Sequence, residues 1–212
     1  MITIPKIENY IAEHTTEHNE VLGELERETN VSVLHPQMLS GNVQGRLLSI
    51  ISKIIQPKAV LEIGTYTGYS AICLAEGLHS NGQLHTIDKN DEIMHVAEKY
   101  FEKAGVADKI TLHAGDAIKI IPVLEQKWDL VFIDADKKDY CNYYELVIEN
   151  VNAGGIILVD NVLWYGKVAD VADENDLDTK EIQKFNKKVQ NDMRVENLIL
   201  PLRDGISVIR KK

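Results

Sequence analysis

The spacing of apolar positions changes period several times along this chain. Near the start, Ile7, Tyr10, Ile11, Val21, Leu22 and Leu25 recur at helical spacing and predict one amphipathic helix over residues 6–29. Residues 41–56 predict a second helix, with Ser40 placed to cap its start and Pro57 just past its end. From there short apolar runs alternate with amphipathic stretches. Ala59–Ile63 predicts a strand and 67–79 a helix; Gln83–Ile87 a strand and 91–104 a helix; Lys109–His113 a strand and 117–125 a helix. Trp128–Ile133 predicts a strand and 139–150 a helix, and Gly155–Val159 a fifth strand. Helix 178–192 then leads into Val195–Leu200 and Ile206–Arg210, two strands joined around Arg203-Asp204-Gly205.

Strands alternating with helices imply an α/β fold: a seven-stranded, mostly parallel sheet with helices on both faces. The near-continuous apolar strands agree with burial on two sides. The last two strands, joined by a tight turn, predict an antiparallel C-terminal hairpin at one edge. A length of 212 residues suits a single domain, 1–212, with helices over 1–56 preceding a core over 57–212. Residues 170–178 are acidic and predict a solvated loop.

Composition narrows the partners. The formal net charge of -10 disfavours broad contact with phosphate backbones. The two cysteines, Cys73 and Cys141, fall in different predicted helices with no metal-spaced partner, which suits a reduced, cytoplasmic setting. Met1–Lys6 lacks the basic and apolar run of a signal peptide, and no apolar stretch approaches the roughly 20 residues that span a bilayer, so no membrane partner is expected.

Glu62, Asp88, Asp134 and Asp160 all fall at or just past the C-terminal ends of predicted parallel strands. That edge is where open α/β sheets bind ligands. Carboxylates gathered there repel one another, so a cationic guest is expected. Glu62-Ile63-Gly64-Thr65-Tyr66-Thr67-Gly68-Tyr69-Ser70 reads as strand, tight turn and helix start, with glycines allowing close backbone approach. Tyr66 stands where the dinucleotide fingerprint needs its second glycine, which argues against an NAD-dependent oxidoreductase; no Gly-Lys-Ser/Thr follows, which argues against a P-loop. Asp88, 24 residues after Gly64, suits a ribose diol. Together these point to an adenosine without a pyrophosphate, with Gly115-Asp116-Ala117 placed to flank the adenine and Asp116 also suited to cap a helix.

These motifs resemble those of the cation-dependent O-methyltransferases, the group of catechol and caffeoyl-CoA O-methyltransferases and their bacterial relatives. The likeness rests on Leu61–Ser70, Gly115–Ala117, Ile133–Lys137 with Tyr140, Asp160-Asn161 and Leu200–Gly205, and runs from about residue 36 to 212. It implies a Rossmann-like methyltransferase fold and S-adenosylmethionine (SAM) as methyl donor. It also implies roles. Met38 and Leu39 would cover the methionine end of SAM, Glu62, Gly64 and Thr65 would line its amino-acid portion, and Ser70 would bind its carboxylate. Asp88 would hold the ribose, Ala117 would contact the adenine, and Asp134 would touch both cofactor and metal. The helices over 1–56 would form a cap and a homodimer face. Asp136 departs from the catechol enzymes and matches the caffeoyl-CoA and bacterial branches.

Asp134, Asp160 and Asn161 make an all-oxygen set suited to Mg²⁺, Mn²⁺ or Ca²⁺ rather than zinc. Such a set leaves positions open for a vicinal diol, and the ion would acidify a bound hydroxyl. Lys137, three residues past Asp134, is placed to accept the proton as a catalytic base if its pKa is lowered. Trp164 and Tyr165 follow as a candidate aromatic wall over a planar substrate. The expected reaction is methylation of a hydroxylated, catechol-like small molecule. The alternative with the same chemistry is methylation of 5-hydroxyuridine in tRNA, which would draw on Arg46, Lys137, Lys138, Lys167 and Arg203. His14 and His18 share an i, i+4 spacing but lack a third ligand, so they read as an exposed helix face; His35, His85, His95 and His113 read as scattered structural or surface residues.

Overall fold

The computed structural model describes residues 5–212, so Met1–Ile4 of the N-terminal reading lie outside the described residues. The elements run α1 (Pro5–Glu13), α2 (Glu20–Ser32), α3 (Gly41–Ile55), β1 (Ala59–Ile63), α4 (Tyr69–Ala75), β2 (Gln83–Asp88), α5 (Met94–Lys103), β3 (Ile110–Ala114) and α6 (Ala117–Ile120). They continue with β4 (Trp128–Ile133), α7 (Tyr140–Ile148), β5 (Val151–Val159), α8 (Leu177–Gln190), β6 (Val195–Leu200) and β7 (Ile206–Lys211).

The seven strands form one sheet in the order β3-β2-β1-β4-β5-β7-β6. The first five are parallel, and β7 runs antiparallel between β5 and β6. The expected hairpin is therefore present, with its second strand inserted next to the parallel sheet. Alternate strand residues feed two cores. Leu61, Ile63, Val131 and Ile133 pack towards α7 and α8, against Tyr140, Tyr144 and Phe185. Val60, Leu130, Phe132 and Leu158 pack towards α2 to α5, against Leu22, Leu48, Ile72 and Tyr100. Cys73 and Cys141 are both free and buried in α4 and α7.

Several boundaries differ from expectation. The single helix over 6–29 is two helices, because Asn19 turns its side chain back to accept the Leu22 N–H at 3.0 Å and starts α2 afresh. His14 and His18 consequently leave the shared helix face: His14 stacks on Tyr10, while His18 reaches the Tyr69 hydroxyl at 3.1 Å. Ser40 has helical φ and ψ of -59° and -37°, so its hydroxyl does not cap α3. The helix after β1 shrinks to seven residues, since Gly68 holds the left-handed φ of 87° that ends the turn before it. Pro122 follows α6, which is a single turn continued by a 3-10 segment. The fifth strand starts earlier, at Val151, with a bulge between Trp128 and Leu130 on its partner. His85 and His113, expected to be scattered, meet across β2 and β3 at 2.9 Å, and burial lowers the pKa of both.

Candidate active site

The strand order reverses between β1 and β4, which is the switch point where open sheets leave a crevice. Parallel register aligns Ile63, Ile133 and Val159, so Gly64, Asp134 and Asp160 emerge side by side on one rim. The Asp134 N–H donates to the Ile63 carbonyl and the Asp160 N–H to the Ile133 carbonyl, at 2.9 and 3.0 Å. A cavity of about 850 Å³ opens above them.

Its cofactor-facing wall is made of backbone. Gly64 has φ of 102°, and a Cβ there would lie 1.9 Å from the Asp134 carbonyl oxygen, so only glycine fits. Asp88 accepts the Thr65 and Tyr66 N–H groups at 3.0 and 2.8 Å and the Asn90 N–H at 2.9 Å, bracing the glycine turn. The Tyr66 hydroxyl donates to the carbonyls of Leu34 and His35, drawing the segment before α3 over the cavity. Met38, more than half exposed, and buried Leu39 lie on that segment. Asp116 caps α6 by accepting the Ile118 N–H at 3.0 Å, and Ala117 lines the cavity beside it. Met38, Leu39, Gly64, Thr65, Ser70, Asp88, Ala117 and Asp134 all line the same space.

Glu62 does not reach the rim. It is fully buried within β1, where Thr86 donates to Oε2 and Oε1 finds no hydrogen-bond partner among the described residues. Burial pushes its carboxyl up to about 8, against the Ser70 and Thr86 hydroxyls that favour the ion. The Thr65 and Thr86 hydroxyls, 2.5 Å apart, continue this line to the glycine turn.

The opposite wall carries Asp134, Lys137, Asp160, Asn161, Trp164 and Arg203. Lys137 Nζ lies 3.1 Å from Asp134 Oδ1 and over the rings of Tyr140 and Trp164, at 5.0 and 5.9 Å. Burial opposes its charge, but Tyr140, Asp134 and Asp160 outweigh that and raise its pKa. The lowered pKa expected of a base is thus reversed here, because Asp134 serves as its counter-ion. Burial, then the charge of Asp134, raises the Asp160 carboxyl. Asp160 is 2% exposed; its Oδ2 accepts from Gln44 Nε2 at 2.8 Å and its carbonyl from the Tyr140 hydroxyl at 2.9 Å. Asp136 pairs with Lys89 at the mouth.

Among the described residues no three His, Cys, Asp or Glu side chains gather as a metal centre. The metal reading therefore rests on two carboxylates and the Asn161 amide. The donor set fits a hard cation: all oxygen, on one rim, with two carboxylates close enough that Asp134 adds to burial in raising the Asp160 carboxyl. A turn closed to any Cβ likewise fits the close approach of an organic guest on the other wall.

The sequence motifs do not point to Gln44, and the sequence offers Arg203 for a basic pocket mouth rather than as an internal donor. Arg203 donates to the Gln44 Oε1 at 2.9 Å and to the Ser40 carbonyl. A sequence signal for Gln44 did exist: it shares the buried stripe of α3 with Leu48, and a buried amide needs partners.

Residues 12–212 match the model of a family described as O-methyltransferase. The chain is 34% identical over 208 residues to a probable caffeoyl-CoA O-methyltransferase of Dictyostelium discoideum, covering 96% of this chain and 90% of that protein. It is 34% identical to a flavonoid 3',5'-methyltransferase of Vitis vinifera over 79% of this chain and 76% of that one. Among solved structures, a Bacillus cereus O-methyltransferase in complex with SAH superposes with a TM-score of 0.91 at 27% identity, covering 100% of both chains. An O-methyltransferase of tomaymycin synthesis from Streptomyces achromogenes, in complex with SAM, gives 0.90 at 27% identity over 98% and 96%.

Proposed function

Because this chain belongs to the O-methyltransferase family and is a SAM-dependent enzyme of the caffeoyl-CoA O-methyltransferase type, we propose that it methylates one hydroxyl of a catechol-like small molecule with the help of a divalent cation. The observation that carries this reading is the single cavity in which Asp134, Asp160 and Asn161 share a rim with Lys137 and face the glycine turn.

Met38, Leu39, Gly64, Thr65, Ser70, Asp88, Ala117 and Asp134 would hold SAM, with Glu62 acting from beneath the turn. Asp134, Asp160 and Asn161 would hold the cation, Mg²⁺ first and Mn²⁺ or Ca²⁺ as alternatives. When bound, SAM supplies an electrophilic methyl group, and the cation supplies positive charge that favours loss of a proton from a neighbouring hydroxyl. Trp164 and Tyr165 orient a planar ring at the open side. Lys137 would serve as proton acceptor in its neutral form, having first released the proton that Tyr140, Asp134 and Asp160 now favour; a cation held by Asp134 and Asp160 would weaken that hold. The enclosing walls hold both reactants in attack geometry, which is where much of the acceleration of a two-substrate transfer arises.

The small-molecule reading gains support from how the basic residues are spent. Arg46 faces Glu76, Lys137 faces Asp134, Lys167 pairs with Asp176, and Arg203 serves Ser40 and Gln44. Among the described residues that leaves Lys138, of the five considered, without an ion pair and open to a tRNA backbone. The whole chain would act as one unit, with 57–212 as core and the preceding helices as cap. Exposed Ile7, Tyr10, Ile11, Ile50 and Ile54 on α1 and α3 support a homodimer face, which light scattering checks. Among the described residues no helix is long and apolar enough to cross a membrane.

A methylation assay with SAM over a panel of catechols and bulk tRNA, with and without chelator, tests the proposal. Chelator-sensitive catechol turnover is the expected result. Turnover unaffected by thorough metal removal overturns the metal role, and methylation confined to tRNA overturns the substrate.

A further inference from the structure

A carboxylate that binds a cation must present a fixed oxygen, and Asp160 has little else to fix it. It is buried at the end of β5, followed by Asn161 in the left-handed region with φ of 59°. Among the described residues its Oδ1 accepts only its neighbour's own N–H, at 2.7 Å, a bond within two adjacent residues. The other contact comes from far away in sequence. Gln44, fully buried on α3, donates from Nε2 to Asp160 Oδ2 at 2.8 Å.

An amide can present either end, and which end it presents is settled by its other partner. Here that partner is Arg203, which carries donors and no acceptor. Its guanidinium donates to Gln44 Oε1 at 2.9 Å, so the Nε2 end must face Asp160. Arg203 is itself held in an unusual conformation, with φ of 50° in the β6–β7 turn. That turn is stitched to the residues after Asp160 by backbone: Val162 N–H donates to the Gly205 carbonyl and Leu163 N–H to the Asp204 carbonyl, at 3.1 and 2.9 Å. A left-handed backbone at a large residue persists only where the surroundings impose it.

We infer that Gln44 is a positioning residue for the cation site, its amide polarised and oriented by Arg203 so that it donates to Asp160 and fixes which carboxylate oxygen faces the cavity. The inference rests on the cation reading above and adds a residue to it. Gln44 touches no reacting atom; it acts through Asp160. Partners of this kind, one bond beyond the ligand, are worth about 10- to 100-fold in metal affinity.

The test is Mn²⁺ binding to the full chain, followed by the ion's electron paramagnetic signal, alongside calorimetry with SAH. In Gln44→Met the side chain keeps its length and loses both hydrogen bonds, while Arg203 keeps Ser40 and with it the segment over the cofactor. The expected result is a Kd for Mn²⁺ raised about 10- to 100-fold with the Kd for SAH within about 2-fold. Gln44→Asn retains the amide but falls short of Asp160, and is expected to show the same split; it also serves if the methionine variant folds poorly. Equal Mn²⁺ affinity in wild type and variants overturns the inference and leaves the cation reading standing. Mn²⁺ and SAH affinities that fall together also overturn it, since a merely structural role for Gln44 does that. A wild-type chain that binds no Mn²⁺ overturns the cation reading and this inference with it.

Discussion

On the β1–β2–β3 side of the cavity, the contacts that shape the wall join nearby stretches of chain: Asp88 braces the turn at Thr65 and Tyr66, 23 and 22 residues away. On the β4–β5 side, Gln44 meets Asp160 across 116 residues, and Arg203 meets Gln44 and Ser40 across 159 and 163. The first wall uses glycine at most of the places where its backbone turns left-handed, at Gly64, Gly68 and Gly115, with Tyr66 at φ of 49° between them and held by Asp88. The second places four large residues, Asn161, Trp164, Tyr165 and Arg203, in that region, and ties the stretch after Asp160 to the hairpin turn through the N–H groups of Val162, Leu163 and Tyr165. A cofactor with a fixed shape can be met by a preformed backbone turn. A site that must aim carboxylates, an amide and aromatic rings needs side chains at strained positions, and strain needs tertiary support.

The sharpest way to break this contrast is Asp160→Ala. It should lower turnover about 1,000-fold, or about 4 kcal/mol, with SAH affinity nearly unchanged by calorimetry. An equal loss of SAH binding would merge the two walls into one site. Next in size is Gly64→Ala, which forces a Cβ onto the Asp134 carbonyl at a φ of 102°. A loss of about 3 kcal/mol of stability in denaturant melts is expected, together with weaker SAH binding. A melt unchanged from wild type would show that the turn has slack. Asp88→Ala leaves the Thr65 and Tyr66 N–H groups unpaired and should weaken SAH binding about 10-fold, while the Mn²⁺ Kd stays put. The smallest effect concerns Glu62. Burial raises its carboxyl from the ordinary 4.5 to about 8, so between those values the folded chain carries a proton that the unfolded chain has lost. Stability of the cofactor-free chain therefore falls as pH rises through that window. Glu62→Gln should flatten this part of the Tm profile, and parallel profiles would contradict it.

The contrast also explains what could be read in advance. The alternation of strands and helices, the parallel core and the closing hairpin follow from apolar periodicity, and all seven expected strands are present, the fifth of them four residues longer at its start. The cavity-lining set Gly64, Thr65, Ser70, Asp88, Ala117, Asp134, Lys137, Asp160 and Asn161 follows from strand ends and local motifs. The miss at Asn19 was local too: a capping side chain competed with helical periodicity and won. Strand spacing groups Glu62 with the rim carboxylates because one residue of strand separates rim from core, and spacing alone does not resolve that step. The lowered pKa expected of Lys137 follows from the chemistry a base needs, and the sequence does not show the counter-ion it meets.

The sequence by itself determined the sheet, the strand ends and hence which carboxylates share an edge, because these depend on periodicities of two and 3.6 and on turns a few residues long. Only the tertiary structure decided which way Gln44 faces, that Arg203 serves the interior rather than a surface, and that Lys137 starts as an ion paired with Asp134. Those outcomes depend on hydrogen-bond partners from distant parts of the chain and on how far burial strips each charge of water, and neither quantity has a local signature.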